Sequence, residues 1–120
     1  MQIIKHLHTA ILVSNLEVAE NFYSNVLGLS KIDRILKYPG AWYQVGDFQI
    51  HLILHSNLKT DLQNKEKWGR NPHIAIAVIN LDEAKERLQA YGVPIQISAS
   101  GRAALFTQDP DGNIIEISQV

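Results

Sequence analysis

The chain has 120 residues, 46% of them apolar and 19% charged, with a net charge of −1. That suffices for one packed domain and leaves no basic footprint for nucleic acid. Cysteine is absent, which excludes disulfides, thiolate nucleophiles and thiolate metal sites, so any bound metal must use imidazole and carboxylate.

The opening MQIIKHLHTA runs directly into a strand pattern. It has neither the apolar centre of a signal peptide nor a membrane-length apolar span, so a cytoplasmic location without membrane contact is expected. Residues 3–13 alternate and are rich in β-branched types, which predicts a strand. Ser14 or Asn15 caps a helix with Leu16, Ala19, Phe22, Tyr23 and Val26 on one face, and Gly28 ends it. Strands are expected near 30–37, 41–46 and 48–54, with turns at Pro39-Gly40 and Gly46-Asp47. Residues 56–71 are polar and form a linker or a surface helix. A strand over 73–79 follows Pro72, then a helix over 81–91 capped by Asn80 and ended by Gly92. Strands near 93–98, 102–107 and 113–118 complete the chain, the last preceded by the turn Asp109-Pro110-Asp111-Gly112. The order is βαβββ twice: module one at 1–55, a linker at 56–71 and module two at 72–120, within one domain.

The two modules repeat in sequence. HTAILVSNLEVA from His8 and HIAIAVINLDEA from His73 share 7 identities in 12 ungapped positions at an offset of 65. The match fades through the helix, where Gly28 meets Gly92 only after a one-residue slip. It returns where QIHLIL lies over IIEISQ. The same offset carries His8 to His73 and His51 to Glu116, so each module holds two potential metal ligands 43 positions apart.

Alternation puts His6 with His8, and His51 with His55, on shared strand faces. If the two modules curl their sheets and meet, His8, His51, His73 and Glu116 converge. Three imidazoles and a carboxylate suit one divalent ion (Fe, Mn, Ni, Co or Zn) and leave coordination positions open for a substrate. Each residue taken singly has a plainer reading, as a structural histidine or a solvated glutamate; the common spacing ties them together. His51 could also sit beside the metal without binding it. His6 and His55 are read as supporting or surface residues.

The segments LHTAILVSNLEVAENFYSNVLGL, PHIAIAVINLDEA and LFTQDPDGNIIEIS resemble the vicinal-oxygen-chelate superfamily, which contains glyoxalase, bleomycin-resistance and extradiol dioxygenase proteins. The resemblance implies an α+β fold in which two tandem βαβββ modules form an open, curved mixed sheet around a metal cup, with the helices outside. It implies metal ligands at His8, His51, His73 and Glu116, the positions the spacing singles out, and a homodimer. The chain departs from glyoxalase I, which usually carries a glutamate at the position of His51 and an arginine at that of Leu12.

The chemistry expected of such a site is chelation of two neighbouring oxygens of a small substrate, acidifying an adjacent C–H. Glu116 is the first candidate for the proton-transferring base and His51 the second. The outcome is an isomerase, lyase or epimerase step. One alternative is Fe(II)-dependent extradiol-type oxygen chemistry on His8, His73 and Glu116. Another is a non-enzymatic protein that sequesters a small molecule. Arg102, Trp42 and Phe106 are the expected substrate contacts, and Tyr43, Phe48 and Trp68 are further aromatic candidates for a binding cup.

Overall fold

The structure, a computed structural model, describes residues 1–59 and 61–120; Thr60, inside the expected linker, lies outside them. The chain divides into two compact units, Met1–Leu58 and Lys59–Val120. The first contains β1 (His8–Val13), a helix made of α1 (Leu16–Glu20) and a π-helical continuation (Asn21–Val26), β2 (Ser30–Lys31), β3 (Gly40–Val45) and β4 (Phe48–Leu54). The second contains a 3₁₀ turn (Trp68–Arg70), β5 (His73–Val78), α2 (Leu81–Ala90), β6 (Ile95–Ile97), β7 (Ala104–Gln108) and β8 (Ile114–Gln119). Among the described residues each unit forms one open four-stranded mixed sheet, ordered β1-β4-β3-β2 and β5-β8-β7-β6. The α+β class and the doubled βαβββ order are therefore as the sequence predicts. No helix among the described residues is long and apolar enough to cross a membrane.

The repeat is also a repeat of hydrogen-bonding register. β1 pairs parallel with β4, setting Ala10 opposite His51, and β5 pairs parallel with β8, setting Ala75 opposite Glu116. Asn15 and Asn80, identical at the 65-residue offset, are the helix N-caps; their side-chain oxygens accept from the N–H groups of Val18 and Glu83, each at 3.1 Å. In the first unit Val13, Ala19, Phe22, Tyr23, Val26, Ala41, Tyr43, Ile50 and Leu52 are buried. These strand residues share the face that packs against the helix. The opposite face carries His8, Ala10, Trp42, Gln49 and His51. In the second unit Leu105, Thr107, Ile115 and Ile117 take the apolar positions, leaving His73, Phe106, Glu116 and Ser118 together on the other face.

The one-residue slip has a structural cause. The helix of the first unit holds an extra residue as a π-helical turn, in which the N–H of Leu27 reaches back five residues to the carbonyl of Phe22 at 2.9 Å. Leu29 N–H then bonds to the carbonyl of Tyr23, whereas the corresponding bond in the second unit, Val93 to Leu88, spans one residue fewer. The later hairpins restore the count. Gln44 pairs with Gln49 across residues 45–48, while Gln108 pairs with Ile114 across residues 109–113. Trp42 opposite His51 is thereby equivalent to Phe106 opposite Glu116.

Several element boundaries differ from the sequence expectation. β1 begins at His8, not at residue 3, because the ladder to β4 starts at His8 opposite Gln49; Ile3, Ile4 and Leu7 are exposed. β2 is confined to Ser30–Lys31, opposite Gln44 and Tyr43 of β3, although the Ile32 N–H beyond it still donates to the Trp42 carbonyl at 2.8 Å. The polar stretch expected as a linker contributes from Lys59 onward to the second unit. Its Trp68 N–H donates to Gln96 Oε1 at 2.9 Å, and Gln96 Nε2 donates to the Glu66 carbonyl at 2.8 Å.

Candidate functional site

Each unit presents two of the four predicted ligands on one sheet face. In the first, His51 lies opposite Ala10, and His8 stands two residues before Ala10 on the same face, opposite Gln49. The His8 and His51 rings stack at 4.0 Å and 15° from parallel. The other face of His51 is covered by Trp42, 3.7 Å away and 2° from parallel. The far face of the indole is covered in turn by the Arg34 guanidinium, 4.0 Å from the ring centre. Trp42 Nε1–H donates to Tyr38 Oη at 3.0 Å. Both indole faces are thus occupied within the chain, leaving its edge for any ligand. His51 is buried, and its Nε2 lies 2.8 Å from Gln49 Oε1. Burial, with the charges of His8 and Arg34, holds the His51 imidazole below its ordinary pKa.

In the second unit, His73 Nδ1 lies 2.7 Å from the Asn71 carbonyl. A carbonyl only accepts, so Nδ1 carries the hydrogen and Nε2 keeps its lone pair. Asn71 is itself buried, its amide donating to the carbonyls of Asn64 and Trp68, so this support is fixed. Phe106 is buried and meets His73 edge-on, with ring centres 5.7 Å apart. Glu116 is buried and accepts from Arg102 Nη2 at 2.8 Å and from Ser118 Oγ at 3.2 Å. The Arg102 hydrogen bond and charge, with Ser118 and the nearby His73, hold the Glu116 carboxyl below its ordinary pKa against the opposing effect of burial. Arg102 is oriented by its own Nε–H bond to Ser100 Oγ at 3.1 Å.

The donor set fits a divalent ion: imidazoles with a fixed outer hydrogen bond and an ionised carboxylate are the usual partners of borderline metals. Among the described residues no three His, Cys, Asp or Glu side chains form one group. The pairs His8/His51 and His73/Glu116 are what each unit shows by itself. Beside the second pair lies a cavity of about 550 Å³ lined by Gly69, Arg70, Ile97, Ser100, Arg102 and Phe106. His6 bonds Thr9 through Nε2 at 3.1 Å, and His55 is exposed, so neither joins a pair. Tyr43 does not line this face; it is buried under the helix, where its hydroxyl bonds Ser24 at 2.8 Å. Arg34, Gln49, Asn71 and Ser118 were not legible as site residues. The available signal for Gln49 and Ser118 was the two-residue spacing from His51 and Glu116, which puts them on the same strand face.

Residues 5–117 match the Glyoxalase/Bleomycin resistance protein/Dioxygenase superfamily, and the chain belongs to it. It is 33% identical to a lactoylglutathione lyase of Neisseria meningitidis, over 94% of this chain and 88% of that protein. It is 30% identical to the mitochondrial methylmalonyl-CoA epimerase of Homo sapiens, over 93% of this chain and 72% of the relative. The solved structure of a glyoxalase/dioxygenase from Nostoc punctiforme superposes with a TM-score of 0.79 at 22% identity, covering 96% and 90% of the two chains, and shows the shared fold.

Proposed function

We propose that this chain is a divalent-metal-dependent enzyme of lyase or epimerase type, moving a proton at a carbon next to a substrate carbonyl. Its metal ligands are drawn from His8, His51, His73 and Glu116. The observation that carries the reading is the His73/Glu116 pair, an imidazole with Nε2 free beside a carboxylate held ionised by Arg102 and Ser118. A divalent ion supplies Lewis acidity toward the carbonyl oxygen when bound. The protein's own part is to hold Glu116 as a carboxylate able to take the proton and return it. Arg102 and Phe106, at the wall of the cavity, contact the rest of the substrate; Trp42 contributes through its edge and through His51. The two relatives support the same chemistry, since lactoylglutathione and methylmalonyl-CoA are both thioesters with a C–H beside the carbonyl.

The test is solvent deuterium exchange into those two thioesters by metal-stripped protein, with Zn(II), Ni(II), Co(II), Mn(II) or Fe(II) restored in turn. Exchange that requires metal and is lost in Glu116→Gln is expected. Full exchange by that variant removes Glu116 as base. Oxygen uptake with Fe(II) and a catechol, without exchange, replaces the proposal with the dioxygenase reading. Tight small-molecule binding without turnover or metal replaces it with sequestration.

A further inference from the structure

The hairpin joining β3 and β4 carries a chain of side-chain amides whose direction is fixed by the backbone. One terminal atom of Gln44 lies 2.7 Å from the Gly46 carbonyl and 3.2 Å from the Phe48 carbonyl. Carbonyl oxygens only accept, so that atom is the amide nitrogen. The other terminal atom of Gln44 is therefore oxygen, and it accepts from Gln49 Nε2 at 3.1 Å. The remaining atom of Gln49 is oxygen too, and it faces His51 Nε2 at 2.8 Å. An oxygen that can only accept requires a hydrogen on Nε2.

We propose that Gln49, oriented by Gln44, is a positioning residue that locks His51 in its Nε2–H tautomer and leaves Nδ1 as the lone-pair nitrogen. Trp42 and His8, stacked on the two ring faces, fix the plane while Gln49 fixes the proton. His73 has the opposite form, with Nδ1 donating to the Asn71 carbonyl. The two histidines thus present different nitrogens. The repeat supplies an independent argument. The position equivalent to Gln44 is again a glutamine, Gln108, but the residue paired with it is Ile114. In that unit the ligand position is Glu116, a carboxylate with no tautomer to select, and the relay is missing.

The proposal rests on the metal-site reading only for its purpose. The tautomer is tested without metal or substrate. Long-range ¹H–¹⁵N correlation spectra of the labelled, metal-free protein at mildly alkaline pH, with His51 assigned through His51→Asn, should show a protonated Nε2 and an unprotonated Nδ1. Gln49→Leu should convert His51 to a tautomer mixture. Gln49→Glu, still an acceptor, should keep the wild-type form, and His73 should be unchanged in both. Loss of this support should also weaken Zn(II) binding by calorimetry about tenfold or more in Gln49→Leu. A wild-type His51 protonated at Nδ1 overturns the proposal whether or not any variant folds, as does an unchanged tautomer in folded Gln49→Leu. Failure of the exchange assay with these spectra as expected would remove the enzyme reading and leave the relay standing.

Discussion

Trp42 and His51 sit opposite one another on β3 and β4 with their rings 3.7 Å apart and 2° from parallel. The indole is held between the imidazole on one side and the Arg34 guanidinium on the other. Trp42→Ala should therefore destabilise the protein by about 1–3 kcal/mol, the half-buried end of the large-to-small range, read from urea unfolding. The chain has 2 tryptophans, so Trp68→Phe makes Trp42 the sole indole reporter. Its emission in that variant should be quenched on titration with Co(II), and Gln49→Leu should shift the titration to higher metal concentration.

Acid should destabilise the fold in two stages. Both His51 and Glu116 have pKa values lowered by folding, so the unfolded chain binds the extra proton first. Stability is then present above the unfolded value and lost as pH falls through the folded one. For His51 the loss begins as pH drops below about its ordinary 6.5, and for Glu116 below about its ordinary 4.5. Thermal midpoints measured across pH should show both. His51→Asn should remove the first stage and Arg102→Gln should shrink the second, because the Arg102 hydrogen bond is the main cause of the Glu116 shift.

Gly69 is a packing requirement. A Cβ there would lie 2.5 Å from Phe106 Cζ and 2.9 Å from Cε1. Phe106 in turn meets the edge of His73. Gly69→Ala should cost about 1–3 kcal/mol by overpacking in chemical denaturation. Phe106→Leu should recover part of that loss in the double variant, which identifies the clash as the cause.

The two helices should differ in their tolerance of shortening. Deleting the exposed Asn25 from the π-helical turn gives the first helix the length of its counterpart, so the protein should still fold with a modest drop in Tm by circular dichroism. Deleting Gln89 from α2 removes a residue that no π turn has to spare. It displaces Tyr91 and Gly92, whose N–H groups close the helix end on Arg87 and Gln89, and should cost markedly more.

Much of the fold was legible because its determinants are local. Asn15 and Asn80 cap helices wherever the chain places them, and Gly28 and Gly92 reach positive φ, 72° and 69°, where other residues are strained. The placement of His8 with His51, and of His73 with Glu116, on one sheet face of each unit was legible because duplication wrote it twice. The reach of β1 and β2 was not, since alternation marks a strand but its partner decides where the ladder stops. Arg34 over Trp42 and the Gln44–Gln49 relay depend on cross-strand register, which no single segment encodes. The π turn showed in the sequence only as a slip in the alignment of the repeats.

The amide relay also limits how position 51 can change. His51→Glu would give the two units matching carboxylates on an unaltered ladder, yet it would turn Gln49 Oε1 toward another acceptor. Exchanging that residue is consequently a two-letter edit: position 49 must change with it, as Ile114 accompanies Glu116 in the second unit.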